Sequence, residues 1–268
     1  MNLTVIASWC ALNLGLAFLI YGIFRLWISS RPLTGPVLAK RLSAETGADR
    51  QRPDVTLGEL AFLLRETGRP SPARLLTAVL TGWHTRGIIV CEMAAKKPLV
   101  SFGEDVQPTF AFTEGHAALS GAEEALAELL RSAFTEGNTL QSSESYNWAR
   151  LHAAELLRAL LRFEAEGRAR LRAEGAVRQD TRKRLFGMAA GERLIYTPRG
   201  QRRALAMRRW ENALREAPEL SPADAALFGF GEPPQPLGRF CEKMIQGFAA
   251  GSAAQAAAPD GKVPDFEA

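Results

Sequence analysis

The longest uninterrupted apolar pattern comes first: residues 3–24, LTVIASWCALNLGLAFLIYGIF, hold no charged side chain. As a helix rising about 1.5 Å per residue they reach roughly 33 Å, against about 30 Å of bilayer hydrocarbon, and predict one transmembrane helix in an anchor over 1–28. Tyr21 and Trp27 are rings suited to headgroup level, and Arg25 can snorkel outward. No Lys or Arg precedes Leu3 and bulky residues follow the stretch, unlike a cleaved signal peptide. Arg25, Arg31, Lys40 and Arg41 all come after it, so the positive-inside rule puts the N-terminus outside the inner membrane and the body in the cytoplasm. Ala7, Ala11 and Gly15 share a helix face at four-residue spacing, with Asn13 near the middle, a pattern that permits homo-oligomer contact through the anchor.

Beyond the anchor the apolar positions change to helical and alternating periods. Residues 29–55, rich in Pro, Gly and mixed charge, predict a linker with a helical turn or two around Val37 to Leu42. Thr56 and Glu59 form a capping-box pattern ahead of LGELAFLL, and Ser71 with Pro72 opens a second helix whose stripe is Leu75, Leu76, Val79, Leu80 and Trp83. Gly87 ends it, and IIVCEM, LVSF and TFAFT predict strands of a hairpin. The order then recurs: a helix over 121–134, a turn or short helix in NTLQSSESYN, a long helix over 148–167, strands in RARLRAEG and ERLIYT, and a helix over 201–216. Thr113 and Thr197 close the two hairpins. The predicted fold class is therefore mainly α with small β-hairpins, α+β, as one N-terminal transmembrane helix followed by two tandem winged-helix-like modules over 56–120 and 121–217. A C-terminal helical segment over 218–248 and a disordered Ala/Gly/Pro-rich tail over 249–268 complete it.

Charge changes the picture more than composition does. The net charge of +4 is modest, yet residues 121–147 hold five acidic residues against one Arg, and residues 148–203 hold fourteen Lys/Arg against six Asp/Glu. The basic contact surface predicted from this run is Arg170, Arg172, Arg178, Arg182, Lys183, Arg184, Arg202 and Arg203. It suits anionic lipid headgroups, an acidic protein such as the Glu-rich helix of another copy, or, as the competing reading, nucleic acid. Arg74, Thr77, Thr81, His84 and Arg86 are a poorer set of donors on the helix before the first hairpin.

Catalytic and metal chemistry finds no matching pattern. There is no phosphate-binding glycine loop, dinucleotide fingerprint, HExxH or GxSxG. Cys10, Cys91 and Cys241 are far apart and His84, His116 and His152 lack metal-ligand spacing, so no cofactor is predicted. Ser142 and Ser143 near His152 read as loop serines beside a helix histidine, and Glu123 with Glu124, or Glu164 with Glu166, as solvated surface.

The phrases LGELAFLL, LLTAVLTGWHTRGIIV and YTPRGQRRAL together resemble a family of uncharacterised prokaryotic membrane proteins. The resemblance spans 55–244. It implies a cytoplasmic pair of winged-helix-like units behind a membrane anchor, with no catalytic residues to carry over. The expected function is a non-enzymatic, single-pass membrane-anchored interaction module for protein or lipid; the alternative is a membrane-tethered DNA-binding transcriptional regulator.

Overall fold

The computed structural model describes residues 19, 21, 31–64, 71–95, 106–113, 119–134, 138–180 and 193–257. Strand β1 (Leu33–Thr34) leads into helix α1 (Gly35–Ser43), where Pro36 sits in the first turn and Leu38 and Leu42 reach the core. Helix α2 (Leu57–Leu64) opens as its sequence predicts: the Thr56 N–H donates to Glu59 Oε2 at 2.7 Å, and Glu59 N–H donates back to Thr56 Oγ1 at 3.2 Å. Helix α3 (Pro72–Thr85) is capped by Ser71 and stopped at Gly87, whose φ of +68° suits glycine. Strands β2 (Ile89–Ala95) and β3 (Val106–Phe112) form the first hairpin; the LVSF segment lies outside the described residues.

The second half runs α4 (Gly121–Arg131), β4 (Thr139–Gln141), α5 (Ser142–Leu151), α6 (Ala153–Ala173), β5 (Val177–Asp180), β6 (Arg193–Tyr196) and α7 (Pro198–Glu216). Helices α8 (Pro222–Phe228) and α9 (Leu237–Ala257) follow a short 3-10 turn. The two helix-to-hairpin junctions match atom for atom. Ile88 N–H donates to Trp83 O and Ala176 N–H to Leu171 O, while Thr113 N–H donates to Ile88 O and Thr197 N–H to Ala176 O. Gly175 repeats the positive φ of Gly87.

The expected architecture nonetheless needs correction on two counts. First, the halves are not two modules in tandem, because their sheets exchange strands. The first hairpin takes β4 from the second half, with Phe110 opposite Leu140, and the second hairpin takes β1 from the presumed linker, with Leu33 opposite Tyr196. Neither sheet is complete within its own half. Second, among the described residues no helix is long and apolar enough to cross a membrane. The 21-residue helices α6 and α9 have the length, but α6 carries charge on successive turns and α9 lays its apolar side on the core. The expected transmembrane stretch, residues 3–24, lies outside the described residues except for Leu19 and Tyr21.

Glycine explains the element boundaries that the sequence misplaces. Gly167, expected to end the long helix, lies inside α6, where RARLRA is helical and not a strand. It is there because α2 crosses α6 at near backbone contact: a Cβ on Gly167 would lie 2.2 Å from the Gly58 carbonyl, and one on Gly58 would lie 2.3 Å from Phe163 O. The presumed tail behaves alike. Helix α9 continues to Ala257 because Gly247 and Gly251 let it lie on the α5 backbone, 2.1 Å and 2.2 Å from Tyr146 O and Arg150 O by the same measure. Residues 258–268 lie outside the described residues.

Aromatic rings hold the layers together. Phe110 of β3 stacks on Phe240 of α9 with centroids 5.0 Å apart, and Phe112 packs against Trp83 of α3. Phe228, Phe240 and Met244 are all buried.

The Gly167→Ala variant should lose about 3 kcal/mol of stability, since backbone meets the new methyl from across the crossing. Gly82→Ala, in α3 with only the Ala223 methyl nearby at 3.5 Å, should instead gain about 0.5–1 kcal/mol. Urea unfolding of both variants checks the contrast.

Candidate functional site

Two of the predicted basic residues, Arg203 and Arg170, are drawn into the protein's own framework. Arg203, from the second turn of α7, is 19 % exposed and reaches Glu59 of α2 at 2.7 Å and Glu174 at 2.6 Å. Glu59 itself is 1 % exposed, so this pair is structural. Glu174 also receives Arg199 at 3.2 Å and Arg170 at 3.5 Å, so that three guanidiniums surround one carboxylate. Arg172 on α6, Arg178 on β5 and Arg202 on α7 are exposed. Arg182, Lys183 and Arg184 lie outside the described residues. The predicted surface is thus divided between an internal clamp and separate outward arginines.

A cleft of about 710 Å³ opens where α3, α6 and α8 meet the 52–58 segment. Two of its carboxylates, Glu123 and Asp224, are tied off in similar arrangements, while Asp54 and Glu166 also line it. Glu123 accepts from Trp83 Nε1 at 3.2 Å and from Arg86. Asp224, buried, accepts from Trp210 Nε1 at 3.1 Å and from Arg52 Nε at 2.7 Å. Burial pushes the Glu123 carboxyl up, but hydrogen bonds from Arg86, the Ser120 backbone and Trp83 outweigh it and leave the group below its ordinary value. In each case a Trp and an Arg hold one carboxylate, which joins neighbouring elements.

Of the residues considered for catalysis, Ser142 and His152 are engaged elsewhere, and Ser143, Glu124 and Glu166 are exposed. Ser142 Oγ donates to Gln107 Oε1 at 3.4 Å, while His152 stacks on Trp148 and lies 3.9 Å from Glu155. Among the described residues no three His, Cys, Asp or Glu side chains are grouped to hold a metal ion. Cys91 and Cys241 are buried, and burial pushes the Cys91 thiol up to about 12 and Cys241 in the same direction.

Three of the five candidate donors of α3, Thr77, Thr81 and Arg86, are spent too, whereas Arg74 stays exposed. Thr77, Thr81 and Thr85 donate back to carbonyls one turn earlier at 2.8–2.9 Å, Arg86 holds Glu123, and α8 packs along the helix.

The feature that sequence reasoning missed is the outer face of α6. Leu156, Leu160 and Phe163 enter the core, while Leu157 and Leu161 remain 36 % and 49 % exposed at i,i+4. Arg158 and Arg162, both exposed, stand beside them, and Leu151 is exposed just before the bend at His152. The signal was present in ELLRALLRF. Two leucine doublets four residues apart span more than one buried stripe can accept, so one leucine of each doublet must face outward.

No family model, curated protein or solved structure matches the chain.

Arg203→Ala should cost about 3–5 kcal/mol, because Glu59 is left buried without its cation. Arg172→Ala, at an exposed position, should stay within about 0.5 kcal/mol of the parent. Chemical denaturation of the pair separates the structural arginine from the surface one. In the folded protein neither Cys91 nor Cys241 should react with iodoacetamide at neutral pH, as thiol mass mapping before and after unfolding would show.

Proposed function

We propose that this chain is a non-enzymatic, membrane-associated protein whose body, on the cytoplasmic side, is a protein-interaction module with the outer face of α6 as its contact surface. The observation that carries the reading is the exposure of Leu157 and Leu161 between arginines on a helix otherwise packed into the core. Each leucine covered by a partner contributes up to about 1.5–3 kcal/mol, more than an exposed ion pair contributes. The membrane placement rests on the sequence: the uncharged stretch 3–24 and the Lys and Arg residues that follow it.

Two alternatives for the same face are less well supported. An anionic bilayer favours uniformly basic helices, each Lys or Arg adding about 1 kcal/mol, yet Glu155, Glu164 and Glu166 are spread along α6. A DNA duplex needs donors across the helix ahead of the hairpin; Arg158 and Arg162 supply some, but the exposed row Leu157, Leu161, Ala165 and Ala169 beside them presents none.

A photo-crosslinking residue in place of Leu161, in the full chain inside its own cells, should give a protein adduct that the same residue in place of exposed Glu216 does not. An adduct to lipid, or none, overturns the reading.

A further inference from the structure

We infer that the occupant of this face is helix α4 of a second copy of the chain; the inference rests on reading α6 as the contact surface. Helix α4 shows outward what α6 lacks. Glu124 and Glu128 are exposed at i,i+4 and make no ion pair with another described residue, and Ala125 and Leu129 lie partly exposed in the adjoining row. Arg162 is likewise exposed and unpaired, and Arg158 has only the surface contact with Glu155 at 3.4 Å. Both helices therefore carry one charged row and one apolar row, each with a four-residue repeat.

The order of the rows sets the docking direction. On α6 the arginines follow the leucines by one residue; on α4 the apolar row follows the glutamates by one residue. Successive residues of a right-handed helix step round the axis by about 100°, and turning one helix to face another in parallel reverses the left-to-right order of its rows. In that parallel arrangement Leu157 and Leu161 meet Ala125 and Leu129. Arg158 and Arg162 then meet Glu124 and Glu128. Antiparallel docking would set the glutamates on the leucines.

The chain's own α4 is not available for this contact. Its N-terminus lies beside Glu166, on the side of α6 away from Leu157, so that a Cβ on Gly121 would be 2.8 Å from Glu166 Oε1. Both charged rows stay open in one molecule, so the contact is heterologous, α6 of one copy on α4 of the next, and propagates as a ring or a chain.

The test uses two differently tagged full-length copies, co-expressed and purified in a mild non-ionic detergent that keeps residues 3–24 in solution. The parent copies should co-purify. Arg158→Glu with Arg162→Glu in both copies, or Glu124→Arg with Glu128→Arg in both, should reduce co-purification about tenfold or more. The fourfold variant should recover it, which also shows that the swapped chains fold. Parent copies that fail to co-purify, co-purification unchanged by either swap, or a fourfold variant that does not recover would overturn the inference. A crosslink from position 161 to a different protein overturns it too while leaving the interaction-module reading intact; no adduct at all removes both.

Discussion

Glu59 is a carboxylate almost wholly removed from water, and its two oxygens have separate tasks. Oε2 accepts from the backbone N–H and hydroxyl of Thr56, finishing the first turn of α2, and Oε1 takes the Arg203 guanidinium at 2.7 Å. An ionised carboxylate in such a place costs several kcal/mol unless a cation and hydrogen bonds meet it. The residues flanking Glu59 are buried all round, so α2 cannot turn it back to solvent. Helix α2 of the first half is therefore stable only with α7 of the second half beside it. The Gly58–Gly167 crossing adds a steric condition at the same point, since backbones can approach this closely only where both helices lack a Cβ.

The exchanged strands follow the same logic. A two-residue β1 and a three-residue β4 are too short to stand alone; β4 finds the hairpin edge of the first half, and β1, from the 29–55 segment, that of the second. Local pattern revealed the Thr56–Glu59 capping box, the Gly87 stop and the first hairpin, because each depends on residues close together in the chain. Which hairpin a short strand joins depends on how α2 and α6 cross, and Leu33 or Leu140 carries no mark of that. The same blindness misread Gly167 and Gly251: a glycine that admits a neighbouring backbone and a glycine that ends a helix are the same letter.

At the surface, counting arginines located a basic segment without telling its uses apart. Arg170 meets Glu174 within α6, four residues on, but Arg199 and Arg203 reach it only after α6 and α7 have come together. Before folding they are indistinguishable from Arg172 and Arg202. The leucine doublets of α6 were a better guide to an outward face, because burial on a helix is limited by angle and the doublets exceed it.

That limit bears on why α6 suits recognition. The helix is held by α2 through the glycine crossing, by α4 along one flank, and by α9 near Ala153. Its backbone is thus set before any partner arrives. Leucine side chains lose roughly 0.5–1 kcal/mol of rotamer freedom when ordered, less than long flexible side chains do. A partner that covers Leu157 and Leu161 gains the apolar burial against a small ordering cost, whereas the masked charge of Arg203 offers nothing to an incoming molecule. The interleaving that makes neither half self-sufficient also fixes the outer face of α6 in one orientation. Recognition at this face, as proposed, draws on a helix that the fold has already immobilised.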